Sequence, residues 1–197
     1  MTLLFDELTA FEDSVRTLQF DRSGTNGGGV DKSIDEEDII DEMLDLYLLA
    51  YMEGSRDAAE MLGVEPEEPS GEDLTKMIDR RIDGKTFKDR VRDYMNGEMG
   101  NTTGTPGEAI ARVAETDAMR IYNEVALNTA RKGGAKTKTW NTMLDERVRD
   151  THSYIEGVTV PIDAEFYTYD GDHAHAPGQF IKPENDIGCR CWLTYGK

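Results

Sequence analysis

Three histidines and two cysteines, His152, His173, His175, Cys189 and Cys191, all fall in the last third of a 197-residue chain. Two thiols two residues apart, with His152 as a third soft ligand, could hold a metal ion such as zinc. The spacing meets only half of that pattern, because no second Cys-x-x-Cys or His-x-x-x-His pair accompanies it. The alternative is two small buried residues on a strand, with a histidine that bonds a carboxylate or the backbone. That alternative is the expectation, and no cofactor is expected. His173 and His175 follow the turn at Asp170-Gly171-Asp172, in a Gly- and Pro-rich stretch, and are expected to be exposed loop residues.

A second cluster joins Asp145, Arg149 and His152, which helical spacing would place on one side. As acid–base machinery it is thin, since no nucleophile with an evident base partner accompanies it. An Asp145–Arg149 pair that fixes the loop leading to Cys189-Arg190-Cys191 is the expected arrangement. Arg112, Glu115 and Thr116 pose the same question and receive the same structural answer. Arg131, Lys132, Lys136 and Lys138 form the one compact basic run. It follows a helix C-terminus, where the dipole favours cations, so a solvated helix end is expected, with weak contact to DNA phosphates as the alternative. Gly27-Gly28-Gly29 has no Lys-Ser/Thr directly after it, since Val30 and Asp31 separate it from Lys32-Ser33, and reads as a tether over 24–29 rather than a phosphate loop.

The elements that must position these groups are mostly helical. Leu4, Leu8, Phe11, Val15 and Leu18 recur at helical spacing over 3–20. Ser33 and Glu36 form a capping box for a helix that carries Ile40, Met43, Leu44, Tyr47 and Tyr51 and stops at Gly63. Shorter helices are predicted around Leu74–Ile82 and from Thr86 to Gly97. Thr105-Pro106-Gly107-Glu108 opens the longest helix of the C-terminal half, ending at Gly133-Gly134. After it, 136–140, 158–161, 165–169 and 189–195 read as short strands, and 145–154 returns to helical spacing. Cys189, Cys191, Leu193 and Tyr195 should face one way on the last strand. Helices precede strands, so the fold class is α+β: a helical N-terminal half, then a long helix with a small, mostly antiparallel sheet.

Charge divides the chain further. The net charge is −18, which disfavours a non-specific nucleic-acid coat or a binder of anionic membranes. Residues 1–72 carry 20 acidic and 4 basic side chains, and 73–197 carry 20 and 18. Two regions are therefore expected, an acidic helical one over 1–72 and a nearly neutral α+β one over 73–197. The acidic region is expected to carry the surface that meets a protein partner. No apolar run approaches a membrane span, and no secretory signal is visible at the N-terminus. Two cysteines this close cannot staple distant segments.

Taken in order, the residues of the C-terminal half also resemble a known family. The string runs Arg112-Val-Ala-Glu-Thr116, Arg120, Asn123 and Gly133-Gly134. It continues through Lys138-Thr-Trp140, Asp145-Glu-Arg-Val-Arg149-Asp-Thr-His152 and Gly157. Phe166, Pro177-Gly178, Pro183 and Cys189-Arg190-Cys191 complete it, with Ile82–Phe87 and Arg90-Val91 as the lead-in. Residues 78–195 are similar in this way to the Mu F-like minor capsid, or head morphogenesis, proteins of tailed bacteriophages. The resemblance implies a protein present in few copies inside the phage head, associated with the portal and acting in head assembly, in the virion and, before that, in the host cytoplasm. Some members contact packaged double-stranded DNA or leave with it. It implies no catalytic activity. Relatives often carry Cys-x-x-Cys where this chain has Arg149-Asp-Thr-His152, so a zinc site here would need another ligand, such as Asp145, and the departure counts against metal. Some relatives are fused to toxin or ADP-ribosyltransferase modules. The chain stops at Lys197, directly after the motif, and is expected to lack one.

Two other functions compete with the head-protein reading. One is a metal-assisted enzyme using Asp145, Arg149, His152, Cys189 and Cys191. The other is an acidic mimic of DNA, which should spread its carboxylates over the whole fold rather than over 1–72.

Overall fold

A computed structural model of the chain describes residues 2–16 and 35–197. The tether at 24–29, Ser33, and the last part of the first predicted helix, over 17–20 with Leu18, lie outside the described residues. The described helices are α1 (Thr2–Arg16), α2 (Glu36–Leu62), α3 (Gly71–Asp79), α4 (Phe87–Met95), α5 (Pro106–Lys132), α6 (Asp150–Ser153) and α7 (Pro183–Asp186). The strands are β1 (Thr137–Asn141), β2 (Thr159–Pro161), β3 (Phe166–Tyr167), β4 (His173–Ala174) and β5 (Trp192–Gly196). Helices come first and short antiparallel strands last, so the fold is α+β as expected. No described helix is long and apolar enough to cross a membrane.

The chain folds as two units, and they do not follow a cut at residue 72. One comprises Thr2–Leu48 and Ser70–Glu115; the other comprises Leu49–Pro69 and Thr116–Lys197. The division falls inside α2 and α5, because a 27-residue helix outlasts one small core and contributes turns to two. Charge composition registers the surface and is blind to which turns share a core.

The first unit is helical throughout. Its α3 starts on a box between Ser70 and Asp73, and α4 on one between Thr86 and Asp89. For α5, the Glu108 carboxylate accepts from Thr105 N at 2.7 Å, and Thr105 Oγ1 accepts from Glu108 N at 3.2 Å. Each box satisfies two of the donors that a helix start leaves open. Asp35 Oδ1 accepts from Asp38 N at 3.0 Å at the start of α2. Leu4, Leu8, Phe11 and Val15 of α1 are buried, as are Ile39, Met43 and Tyr47 of α2. Tyr47 meets Phe87 edge-on, ring centroids 5.1 Å apart. Gly107 permits a close helix approach: a Cβ there would lie 2.0 Å from the Val15 carbonyl oxygen.

The second unit packs the later turns of α2 and α5 with all five strands. Ala58, Leu62, Ala126, Ala130 and Ala135 make one cluster. Gly54 is required there, since a Cβ would sit 2.3 Å from the Tyr122 carbonyl oxygen. Strand order is β2-β1-β5, with Lys138 opposite Val160 on one side and Tyr195 on the other. β3 and β4 form a separate hairpin. A larger cluster centres on Trp140, with Leu127, Ile155, Phe166, Phe180, Cys189, Cys191 and Leu193.

Several expectations are corrected. The helix drawn over 145–154 spans only Asp150–Ser153, preceded by turns, because Asp145 is drawn off to a distant partner. The last strand starts at Trp192, so both cysteines precede it rather than lying on it. His173 belongs to β4 and is half-buried, and both His173 and His175 approach Glu165, at 3.2 and 3.6 Å.

Candidate functional site

The buried face of β1 fixes the floor of the site. Side chains alternate along a strand, so the parity that buries Trp140 also buries Lys138. The Lys138 ammonium lies 5.5 Å from the Phe166 ring centre and has no hydrogen-bond partner among the described residues. Burial, then the nearby Arg131 cation, pushes its pKa down to about 8. Lys138 is thus removed from the basic patch proposed for DNA. Arg131 is paired with Asp163 at 3.0 Å and Lys132 with Glu67 at 2.7 Å. Lys136 remains exposed.

His152 reaches this floor from α6. Its ring meets Trp140 at 5.4 Å and stacks on Phe180 at 5.3 Å with 25° between planes. Facing it are the two thiols. His152 Nδ1 lies 3.5 Å from Cys189 Sγ and 3.3 Å from Cys191 Sγ, and all three residues are buried. Among the described residues, these three form the group of metal-ligating side chains that converge, with ligand atoms within 4.8 Å of one another. Asp145, the fourth candidate, is held elsewhere. Both of its oxygens accept from Arg190 Nη2, at 2.8 Å each, so its partner is Arg190 and not Arg149. Arg149 donates instead to the Ile187 carbonyl.

The cysteine segment is held from three sides. Asn123 Nδ2, fully buried on α5, donates to the Cys191 carbonyl at 3.0 Å and to Met119 O at 2.8 Å. Thr116 Oγ1 accepts from Gly188 N at 3.0 Å. Arg190 leans outward to Asp145, so its two neighbours point inward. Gly157, at φ +71°, donates its N–H to Trp140 O at 2.9 Å and ties the loop after α6 to β1. Both thiols are free. Within the pair, Cys189 ionises first. Hydrogen bonding from Cys191 holds its pKa well below the thiol range against burial, and His152 adds to this; the same bond and burial push Cys191 up.

Arg112 and Glu115 belong to the helical unit, apart from this cluster; Arg112 donates to Thr103 O, and Glu115 is half-buried. Two supports, Arg120 in the family-like string and Asp172 in the turn, have no role legible in the sequence. Arg120, buried on α5, donates to Gly178 O at 2.8 Å and pairs with Asp117 at 2.9 Å. Asp172 is also buried. Its carboxylate accepts from His173 N, Ile181 N, Lys182 N and Asn185 Nδ2, at 2.9 to 3.2 Å. Burial pushes its pKa up, but Asn185 and the backbone donors outweigh that and hold it low. The one sequence signal for this knot was the Asp-Gly-Asp turn, which reads equally well as solvent-exposed.

A family of phage Mu protein F like proteins matches residues 70–194. Minor head protein GP7 of Bacillus phage SPP1 is 29% identical over 85 residues, 42% of this chain and 28% of that protein. NAD(+)–arginine ADP-ribosyltransferase EFV of Enterococcus faecalis is 30% identical over 114 residues, 56% of this chain and 22% of that protein. The chain thus spans less than a third of the length of these curated relatives. No solved structure matches at a significant level.

Proposed function

The chain belongs to the phage Mu protein F like family, and from that premise we propose that it is a minor head protein of a tailed bacteriophage. The observation that carries this reading is the family match over 70–194, supported by the likeness to a minor head protein. In this role it sits inside the head in few copies, contacts the portal and neighbouring capsid proteins, and acts in head assembly and DNA ejection.

The acidic face of α2 is the partner surface in this reading. Glu37, Asp38, Asp41, Glu42 and Asp45 are exposed along it, and packaged DNA would repel such a stripe. DNA contact is correspondingly weak, since Lys138 is buried and Arg131 and Lys132 already hold carboxylates. The role is one of contact rather than catalysis; Trp140 and Phe180 pack against the His152 ring and hold it in the core of the mixed unit.

Purified heads assembled with and without the full chain test this reading. The chain should be recovered with heads, substoichiometric to the major capsid protein, and its deletion should give defective heads. Normal infectious heads formed without it would refute the assembly role. Converting the five exposed acidic residues of α2 to their amides should weaken portal capture; undiminished capture would place the partner surface elsewhere.

A further inference from the structure

The grouping of His152, Cys189 and Cys191 carries more than packing. We propose that His152 Nδ1, Cys189 Sγ and Cys191 Sγ together hold one zinc ion, with a water as the fourth ligand. This goes beyond the assembly role and does not depend on it.

The distances carry the proposal. Zinc bonds sulfur at about 2.3 Å and imidazole nitrogen at about 2.0–2.1 Å in tetrahedral geometry. Those lengths place nitrogen and sulfur about 3.6 Å apart, and two sulfurs about 3.8 Å apart, around a shared centre. The nitrogen stands 3.5 and 3.3 Å from the two sulfurs, and the three atoms lie within 4.8 Å of one another. Hydrogen bonding accounts for this less well. One ring nitrogen is either a single donor or a single acceptor, and it would have to serve two thiols at once. A divalent ion bonds all three, and two thiolates neutralise it.

The surroundings suit such a site. Asn123, Thr116 and the Asp145–Arg190 pair fix the backbone that carries both sulfurs, as outer contacts do in metal centres. A partly open cavity lined by Met143, Arg147, Arg149 and Arg190 reaches His152 and Cys191. It would give the ion a way in, and it has room for one water beside the ligands.

The full-length chain, reduced with a phosphine and stripped of metal, would be titrated with cobalt(II) alone. One equivalent should produce the intense visible bands of a tetrahedral centre with a thiolate charge-transfer band, bleached by one equivalent of zinc. No such bands, with both thiols still reduced, would overturn the proposal. Cys189→Ser and Cys191→Ser should each lose the bands, and bands retained in either would remove that residue from the ligand set. The wild-type titration decides the question even where a variant fails to fold. At a hundredfold excess of zinc over its Kd, melting should rise by about 5–10 °C; an unchanged melting temperature would count equally against the site.

Discussion

In the helical unit, α3, α4 and α5 each begin on a pair of residues three positions apart: Ser70 with Asp73, Thr86 with Asp89, Thr105 with Glu108. In the unit that contains β1–β5, the polar contacts that matter join Arg120 to Gly178, Asn123 to Cys191 and Thr116 to Gly188, which are 58, 68 and 72 positions apart. Neighbouring residues meet in any conformation that allows a turn, so caps form one at a time and each contributes modestly. Contacts across such separations form only when the whole unit closes, because the loop entropy must be overcome first. The helical unit should therefore lose stability in small, separable steps, and the mixed unit in large, shared ones.

The sharpest break is Trp140→Ala. It removes the centre of the mixed unit's core, which Phe166, Phe180 and His152 all touch, and should cost about 3–5 kcal/mol. Chemical denaturation followed by amide exchange should show protection lost across β1–β5 while α1 and α4 keep theirs. Equal loss in both units would mean that they do not respond separately.

Next in size is Asp172→Asn, which turns an acceptor toward several donors with only one oxygen left to serve them. A loss of about 2 kcal/mol is expected. The native carboxylate is held below its ordinary pKa, so its contribution is present above about pH 4 and is lost as pH falls through the folded value. In the variant that acid slope should flatten; an unchanged slope in acid denaturation would show that Asp172 does not supply it.

Lys138→Met tests the same core in the stabilising direction. The folded pKa of about 8 lies below that of a free lysine, so the unfolded chain binds more protons between about pH 8 and 10.5. Stability of the native protein should rise across that window, and the methionine variant should lack the rise and gain roughly 1 kcal/mol or more at pH 7. A destabilised variant would mean that the ammonium's contact with Phe166 outweighs its desolvation.

The smallest effect belongs to the helical unit. Ser70→Ala should cost about 0.5–1 kcal/mol and fray only α3, whose residues are not buried. Thermal melts of Ser70→Ala, Thr86→Ala and the double variant should add. Strong non-additivity would place these caps inside one cooperative network and erase the contrast between the two units.

What the sequence determined by itself follows the same division. Thr86, Thr105-Pro106 and the glycines at 63, 97 and 134 mark helix ends correctly, because capping chemistry and positive φ are decided within one turn. The order of residues from Arg112 to Cys191 was enough to place the family, and alternation over 136–140 was enough for β1. Four features needed the tertiary structure. Lys138 reads as a surface cation until the parity of β1 and the strands on both sides of it bury it. Asp145 is four residues from Arg149, yet it turns to Arg190, 45 positions away, because the chain before α6 turns instead of coiling. Asp172 sits in an ordinary turn motif and becomes buried only when the segment at 180–185 folds over it. His152, Cys189 and Cys191 were each visible as candidate ligands. Their convergence was not, since 37 residues separate the imidazole from the first thiol and only closure of the core brings them within bonding range of one ion.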